Sequence, residues 1–266
     1  MADQATTEAM RASRVLRALR ADRPAFSMKL NLADARVSEI AARAGVDCVW
    51  LDMEHTANDW STIQHQIMAA KIFDVDVVVR VARGSYSDYI RPLELDAAGI
   101  MVPHVMDAAE AQTIARYTKF HPLGMRPLDG GNADGAYTGV ELPQYLARAN
   151  SERFTIVQIE DAAALDRADE IAATAGVDMV FFGPGDFSQS IGMPGALDDP
   201  AVREARQLVA KTALSHGKFA GTVSIGSDIP ELLELGYRFI NIGSDVGALS
   251  AAFAELAVAA RRAADT

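Results

Sequence analysis

The chain has 266 residues, 50% hydrophobic and 23% charged, a balance that excludes disordered and fibrous classes and supplies a sizeable core. Its 25 Lys and Arg face 36 Asp and Glu, and the resulting net charge of −11 repels nucleic-acid phosphates and anionic lipid headgroups, so neither is expected as a partner. No apolar run reaches the roughly 18 residues needed to span a bilayer, and the N-terminus lacks the apolar core of a signal peptide, so the expected compartment is the cytoplasm.

In chain order, an amphipathic N-terminal helix is expected over about residues 6–21, with the charges between Arg11 and Arg23 forming a solvated face. From Phe26 onward, short apolar runs rich in β-branched residues alternate with longer amphipathic segments, the pattern of parallel βα units. The strand runs are FSMKLN, DCVWLDME, DVVVRV, GIMVPHV, FTIVQIED, DMVFFGPGD, FAGTVS and YRFINIGS. The single cysteine, Cys48, belongs to the second and is expected to pack in the core. Several runs are almost continuously apolar, as strands buried on both faces should be.

Helical patterns such as DARVSEIAARAG, DWSTIQHQIMAAKIF, DAAEAQTIARYTK, DAAALDRADEIAATAG and PAVREARQLVAKTALSHG lie between them, opening on Asp or Pro and several closing on Gly. Eight strands with helices between them predict an α/β fold, a (β/α)8 TIM barrel over about 26–244, in one domain that covers 1–266. A C-terminal helix is expected over about 245–263. The stretch from His121 to Asn150, rich in Gly, Pro, Asn and Asp, reads as a long loop with a short helix. Its glycines Gly130, Gly131 and Gly135 lack the spacing of a dinucleotide fingerprint, so no nucleotide is expected.

In such a barrel the chemistry lies at the C-terminal ends of the strands. The polar residues there are Asp52, Glu54 and His55 after the second strand, Arg80 after the third, Gln158, Glu160 and Asp161 after the fifth, and Asp186 after the sixth. Gln158 and Glu160 share a strand face. A carboxylate facing a barrel interior is costly unless paired or metal-bound, so Glu160 with Asp186 one strand later forms a candidate site for a hard cation, Mg2+ or Mn2+. The competing reading makes Glu160 a helix-dipole partner and Asp186 a turn cap. His55 beside two carboxylates suits proton transfer, or bonds its loop; Arg80 suits a substrate oxyanion, or neutralises the acids. His104, after Pro103, is a weaker candidate.

LDMEH, VVVR, GIMVPHV, VQIE and GPGDFS, in register on successive strand ends from about Phe26 to Ala260, resemble the HpcH/HpaI aldolases. These are metal-dependent class II enzymes that cleave and form 4-hydroxy-2-oxo acids with pyruvate as nucleophile. The resemblance implies Glu160 and Asp186 as ligands of Mg2+, Mn2+ or Co2+, His55 with Asp52 as the proton-moving pair, and Arg80 and Gln158 on the substrate. It also implies a homo-oligomer, a hexamer of dimers that exchange a C-terminal helix. Glu94 replaces an Asp that pairs with the histidine in some members, and Pro127 follows Arg126 where a glycine is familiar.

The expected reaction is reversible aldol cleavage through a metal-stabilised enolate, with Arg80 on the oxyanion and His55, oriented by Asp52 or Glu94, moving the proton. Backbone N–H groups near Gly185 and Asp186 would take the pyruvate carboxylate. Lys29 is the one lysine at a strand end, so no Schiff-base lysine is expected. An oxaloacetate decarboxylase, a CoA-ester lyase and a non-catalytic barrel are the alternatives.

Overall fold

In the computed structural model, which describes residues 10–265, eight parallel strands close into a barrel in sequence order. They are β1 (Ala25–Leu30), β2 (Cys48–Asp52), β3 (Asp76–Arg80), β4 (Gly99–Val102), β5 (Phe154–Ile159), β6 (Met179–Phe182), β7 (Phe219–Val223) and β8 (Tyr237–Ser244). Each lies on its predicted run to within a residue, and the fold is the (β/α)8 TIM barrel.

Before β1 comes α1 (Arg14–Arg20); residues 6–9 of the expected N-terminal helix lie outside the described residues. The outer ring consists of α2 (Ala35–Arg43), α3 (Trp60–Lys71), α4 (Tyr86–Glu94), α5 (Ala108–Thr118), α6 (Leu142–Glu152), α7 (Ala162–Leu165), α8 (Ala168–Ala172), α9 (Pro184–Ser190), α10 (Pro200–Ser215) and α11 (Ile229–Glu234). After β8 runs α12 (Asp245–Ala264). Among the described residues no helix is long and apolar enough to cross a membrane.

Local chemistry starts these helices. Asp34, Asp59, Asp107 and Asp199 each accept a backbone N–H of the first turn, of Arg36, Thr62, Glu110 and Ala201 respectively. Such caps satisfy donors that would otherwise be orphaned. The segment 161–176 reads as one helix in the sequence and is two in the structure. The chain restarts at Arg167, whose guanidinium reaches Asp107 on the preceding βα unit at 3.3 Å. Between α5 and α6 the long loop contains only a 3-10 turn, Ala133–Gly135.

Strand residues of alternating parity point inward and outward. Outward Val49, Leu51, Val79, Ile100, Val157 and Phe182 pack against helix residues such as Ile63, Ile114 and Val209, forming the main core. Inward Cys48, Trp50, Met101, Ile156, Met179 and Phe181 form a second core that fills the barrel. Trp50 and Phe181 meet edge to face at 5.6 Å.

α1 seals the N-terminal end of the barrel, its Val15, Leu16 and Leu19 joining the interior cluster. The seal is fixed by Asp76, fully buried, which accepts from Ser13 Oγ at 2.6 Å, the Val15 N–H at 2.9 Å and Arg11 at 2.8 Å. A buried carboxylate with three donors is satisfied, so this end is built for stability.

Candidate active site

At the opposite end the inward-facing positions turn polar. Asp52, fully buried, takes two parallel bonds from Arg80, Nε to Oδ1 at 3.0 Å and Nη2 to Oδ2 at 2.6 Å. It also receives the Glu54 amide at 3.0 Å and the Lys29 ammonium at 2.8 Å. Burial pushes the Asp52 carboxyl up, but the bonds and charges of Arg80 and Lys29 outweigh it and hold the group below its ordinary range. Arg80 reaches Glu54 as well, at 3.0 Å, and its guanidinium lies 5.0 Å from the centre of the Trp50 ring.

Glu160 immediately follows β5 and is 1% exposed. One oxygen accepts the backbone N–H of His104 at 2.8 Å and the other the Gln158 amide at 3.0 Å. Burial, with the nearby charge of Asp186 adding to it, pushes its carboxyl up to about 7, against the opposing pull of His104. Gly183 makes room for it: a Cβ at that position would lie 2.3 Å from Glu160 Oε2. Asp186 stands in the first turn of α9 and is exposed.

Glu160, Asp186, Gln158, Gly185 and Arg80 line one cavity of about 310 Å³ at the barrel mouth. A larger cavity, about 680 Å³, lies on the outer wall between α5, the 121–125 turn and α8, but no set of carboxylates converges there. The mouth is therefore the candidate site.

His55 is 57% exposed in its side chain, and its recorded carboxylate neighbour is Glu54 at 3.5 Å. The sequence had paired His55 with Asp52 or Glu94. In the structure Asp52 is committed to Arg80 and Lys29, while Glu94 ends α4 among Arg126, Asp134 and Asp129 of the long loop. Burial raises the Glu94 carboxyl.

His104 and Asp161 are more deeply involved than the sequence indicated. His104 holds a left-handed backbone, φ 51°, which aims its N–H at Glu160, and its Nδ1 lies 2.9 Å from Asp161. Burial lowers its basicity, but Asp161, Glu160 and Glu54 outweigh it and raise the pKa. The signal available in the sequence was a histidine directly after a Pro at a strand end.

Among the described residues no group of three or more His, Cys, Asp or Glu could hold a metal ion. What the cavity wall itself offers is two carboxylates, Glu160 and Asp186. Glu160 is buried, raised by that burial and by a second acid, and given room by a glycine, and the side-chain Oε1 of Gln158 beside it has no partner. A hard cation that keeps water or substrate oxygens for its remaining positions fits that donor set.

Comparison with known proteins agrees with this geometry. The family model of the HpcH/HpaI aldolase/citrate lyase family matches residues 26–252. The chain is 34% identical over 232 residues to the 5-keto-4-deoxy-D-glucarate aldolase of Klebsiella pneumoniae, covering 87% of this chain and 90% of that protein. It is 34% identical over 247 residues to the hydroxypyruvate/pyruvate aldolase of Paraburkholderia phytofirmans, covering 92% of each. The crystal structure of an HpcH/HpaI aldolase from Desulfitobacterium hafniense superposes with a TM-score of 0.88 at 29% identity, over 92% of this chain and 96% of that one. With the acids and the arginine gathered at the C-terminal mouth of such a barrel, the chain is a carbon–carbon lyase and belongs to the HpcH/HpaI aldolase/citrate lyase family.

Proposed function

We propose that this lyase is a divalent-metal-dependent pyruvate aldolase that cleaves and forms 4-hydroxy-2-oxo acids from pyruvate, or a related 2-oxo acid, and an aldehyde. The observation that carries the reading is Glu160, a buried carboxylate raised to about 7 and facing the same cavity as Asp186. A pair of acids so placed is stabilised by a cation. Mg2+, Mn2+ or Co2+ bound there would supply Lewis-acid stabilisation of the charge that develops on the keto oxygen.

The protein's own groups divide the remaining work. Arg80 spends two of its five N–H groups on the bidentate bond to Asp52 and ion-pairs with Glu54, and the orientation that bond fixes would present its remaining N–H groups to a substrate oxyanion. Gln158 orients Glu160 through its amide, and the His104 N–H does so from the other side. His55, exposed and 3.5 Å from Glu54, would carry a proton between substrate and solvent. Gly185 and Asp186 stand in the first turn of α9 on the cavity wall, and backbone N–H groups there would take a substrate carboxylate.

The homo-oligomer belongs to the same proposal. Every residue from Val246 to Asp265 is exposed. Val246, Leu249, Phe253 and Leu256 recur at spacings of three and four, an apolar stripe along one side of α12. A lone helix is marginal in water, so that stripe is read as covered by another copy of this chain.

The deciding assay follows pyruvate release from a racemic 4-hydroxy-2-oxo acid, with chelator and with Mg2+, Mn2+ and Co2+ restored separately. Release that stops with chelator and returns with a cation is expected. Release indifferent to chelator would remove the metal from the reading, and none with any cation would transfer it to oxaloacetate decarboxylation or a CoA ester.

A further inference from the structure

Lys29 stands on β1, across the eight-stranded barrel from β5 and its Glu160. Its side chain is 21% exposed on the wall of the mouth cavity, 2.8 Å from Asp52 Oδ2 and 5.7 Å from the centre of the Trp50 ring. As a counter-ion for Asp52 it is surplus, because that carboxylate already receives two bonds from Arg80 and one from the Glu54 amide. Asp52 is the one polar partner recorded for Lys29 among the described residues, so two of its three ammonium N–H groups are uncommitted.

The surroundings repeat the pattern. Trp50, 3% exposed on the same wall, has an indole N–H without a partner. Ser244 of β8 lines the cavity as well and is the residue that pairs with Lys29 in the sheet, while the neighbouring Asn241 commits its amide nitrogen to Ser27. The β1 and β8 side therefore gathers donors, whereas the β5 and β6 side gathers the acids Glu160 and Asp186. A substrate whose 2-oxo acid end is held through a cation at those acids would extend its far end toward the donors.

We propose that Lys29 is a specificity-determining residue that binds the carboxylate of an acidic aldehyde acceptor. This deepens the aldolase reading above and rests on it. No covalent step is involved, since an ammonium ion-paired to a carboxylate has no free electron pair. An ammonium held at a half-open wall over an aromatic ring meets a carboxylate at lower desolvation cost than one in bulk water, and the charge-assisted bond separates acidic from neutral acceptors.

The test uses the metal-loaded enzyme and compares aldol addition of pyruvate to glyoxylate, which carries a carboxylate, and to glycolaldehyde, which does not. In Lys29→Met the ratio of kcat/KM for glyoxylate over glycolaldehyde is expected to fall by roughly tenfold to a hundredfold, through KM for glyoxylate, and Lys29→Arg to restore most of it. A ratio changed less than about twofold overturns the proposal. So does an equal loss with both acceptors, which would mean that Lys29 acts by positioning Asp52 and Arg80, or a rise in KM for pyruvate with both, which would put the donor's carboxylate there.

Calorimetric titration with succinate and with butyrate separates this proposal from the aldolase reading. If wild type condenses neither acceptor, the aldolase reading fails, yet a tenfold loss of succinate affinity in Lys29→Met, with butyrate unchanged, still supports an anion site. Equal succinate affinity in wild type and variant removes the anion site whatever the reaction.

Discussion

Replacing Glu160 by Gln should stabilise the metal-free protein while abolishing its response to cations. The Glu160 carboxyl is held at about 7 instead of the ordinary 4.5, mainly by burial. Between those values the folded state binds more protons than the unfolded one, so stability contributed by this group falls as pH rises through the window from 4.5 to 7. A displacement of that size is a few hundred-fold in proton affinity, so near pH 8 the ionised group costs about 3 kcal/mol. Glutamine is neutral and nearly isosteric. Its oxygen can accept the His104 N–H as Glu160 does, and its NH2 group can meet Gln158 once that amide turns its unpartnered oxygen inward.

With chelator near pH 8, Glu160→Gln is therefore expected to melt roughly 6–12 °C above wild type, as about 2–4 °C accompanies each kcal/mol in a chain of this size. Near pH 5 the gap should shrink to less than about 1 kcal/mol. Adding Mn2+ at pH 8 should raise the melting temperature of wild type and leave the variant unmoved. Thermal unfolding followed by circular dichroism at both pH values reads all three. Equal melting at pH 8, or a gap that does not change with pH, would refute the reasoning that a costly buried carboxylate prepares the mouth for a cation.

Gly183→Ala puts a methyl group 2.3 Å from Glu160 Oε2 and should weaken Mn2+ binding at least tenfold while the far-UV spectrum stays native, as titration calorimetry would show. Arg80→Lys keeps the charge but loses the fork on Asp52, so kcat/KM should drop by about tenfold to a hundredfold; full activity would discard the bidentate argument. If His55 carries the proton, His55→Ala should slow deuterium exchange into pyruvate and aldol cleavage together, and unchanged exchange would remove it from that role. Placing Glu at both Phe253 and Leu256 should shift the protein to a smaller species in light scattering if α12 packs on another copy.

The strands were legible because parallel strands buried on both faces read as apolar runs, and DVVVR and GIMV need no context to be recognised. Asp34, Asp59 and Asp107 marked helix starts for a local reason, the cap bond, which sequence carries whole, and Pro200 marked that of α10. α4 was not among the helical patterns read, and Pro92 lies inside it; at the break between α7 and α8 Arg167 reaches Asp107 of another unit, a contact that only the fold supplies.

In the site, the gathering of Arg80, Gln158, Glu160, Gly185 and Asp186 at one cavity followed from strand ends alone. Which acid faces which base did not. His104 acts through a left-handed φ that no residue type announces, and Lys29 meets Asp52 only because β1 lies beside β2 in a particular register. Glu94 proved to sit among Arg126, Asp134 and Asp129, and His55 beside Glu54, neighbours that only the fold supplies.

The seal at the N-terminal end has a consequence for synthesis. Ser13 and Arg11 are tied to Glu152 and Arg153 by hydrogen bonds that span 139 and 142 residues, and β1 waits for β8 to close the sheet. A growing chain therefore emerges with its plug ready but nothing to plug until more than half of it has left the ribosome, and with an open strand edge on β1 until residues 237–244 follow. Such long-range closure is slow, and the exposed edge invites pairing between chains during the interval. Folding yield should depend on how fast the last quarter of the barrel arrives rather than on how well the first helix forms.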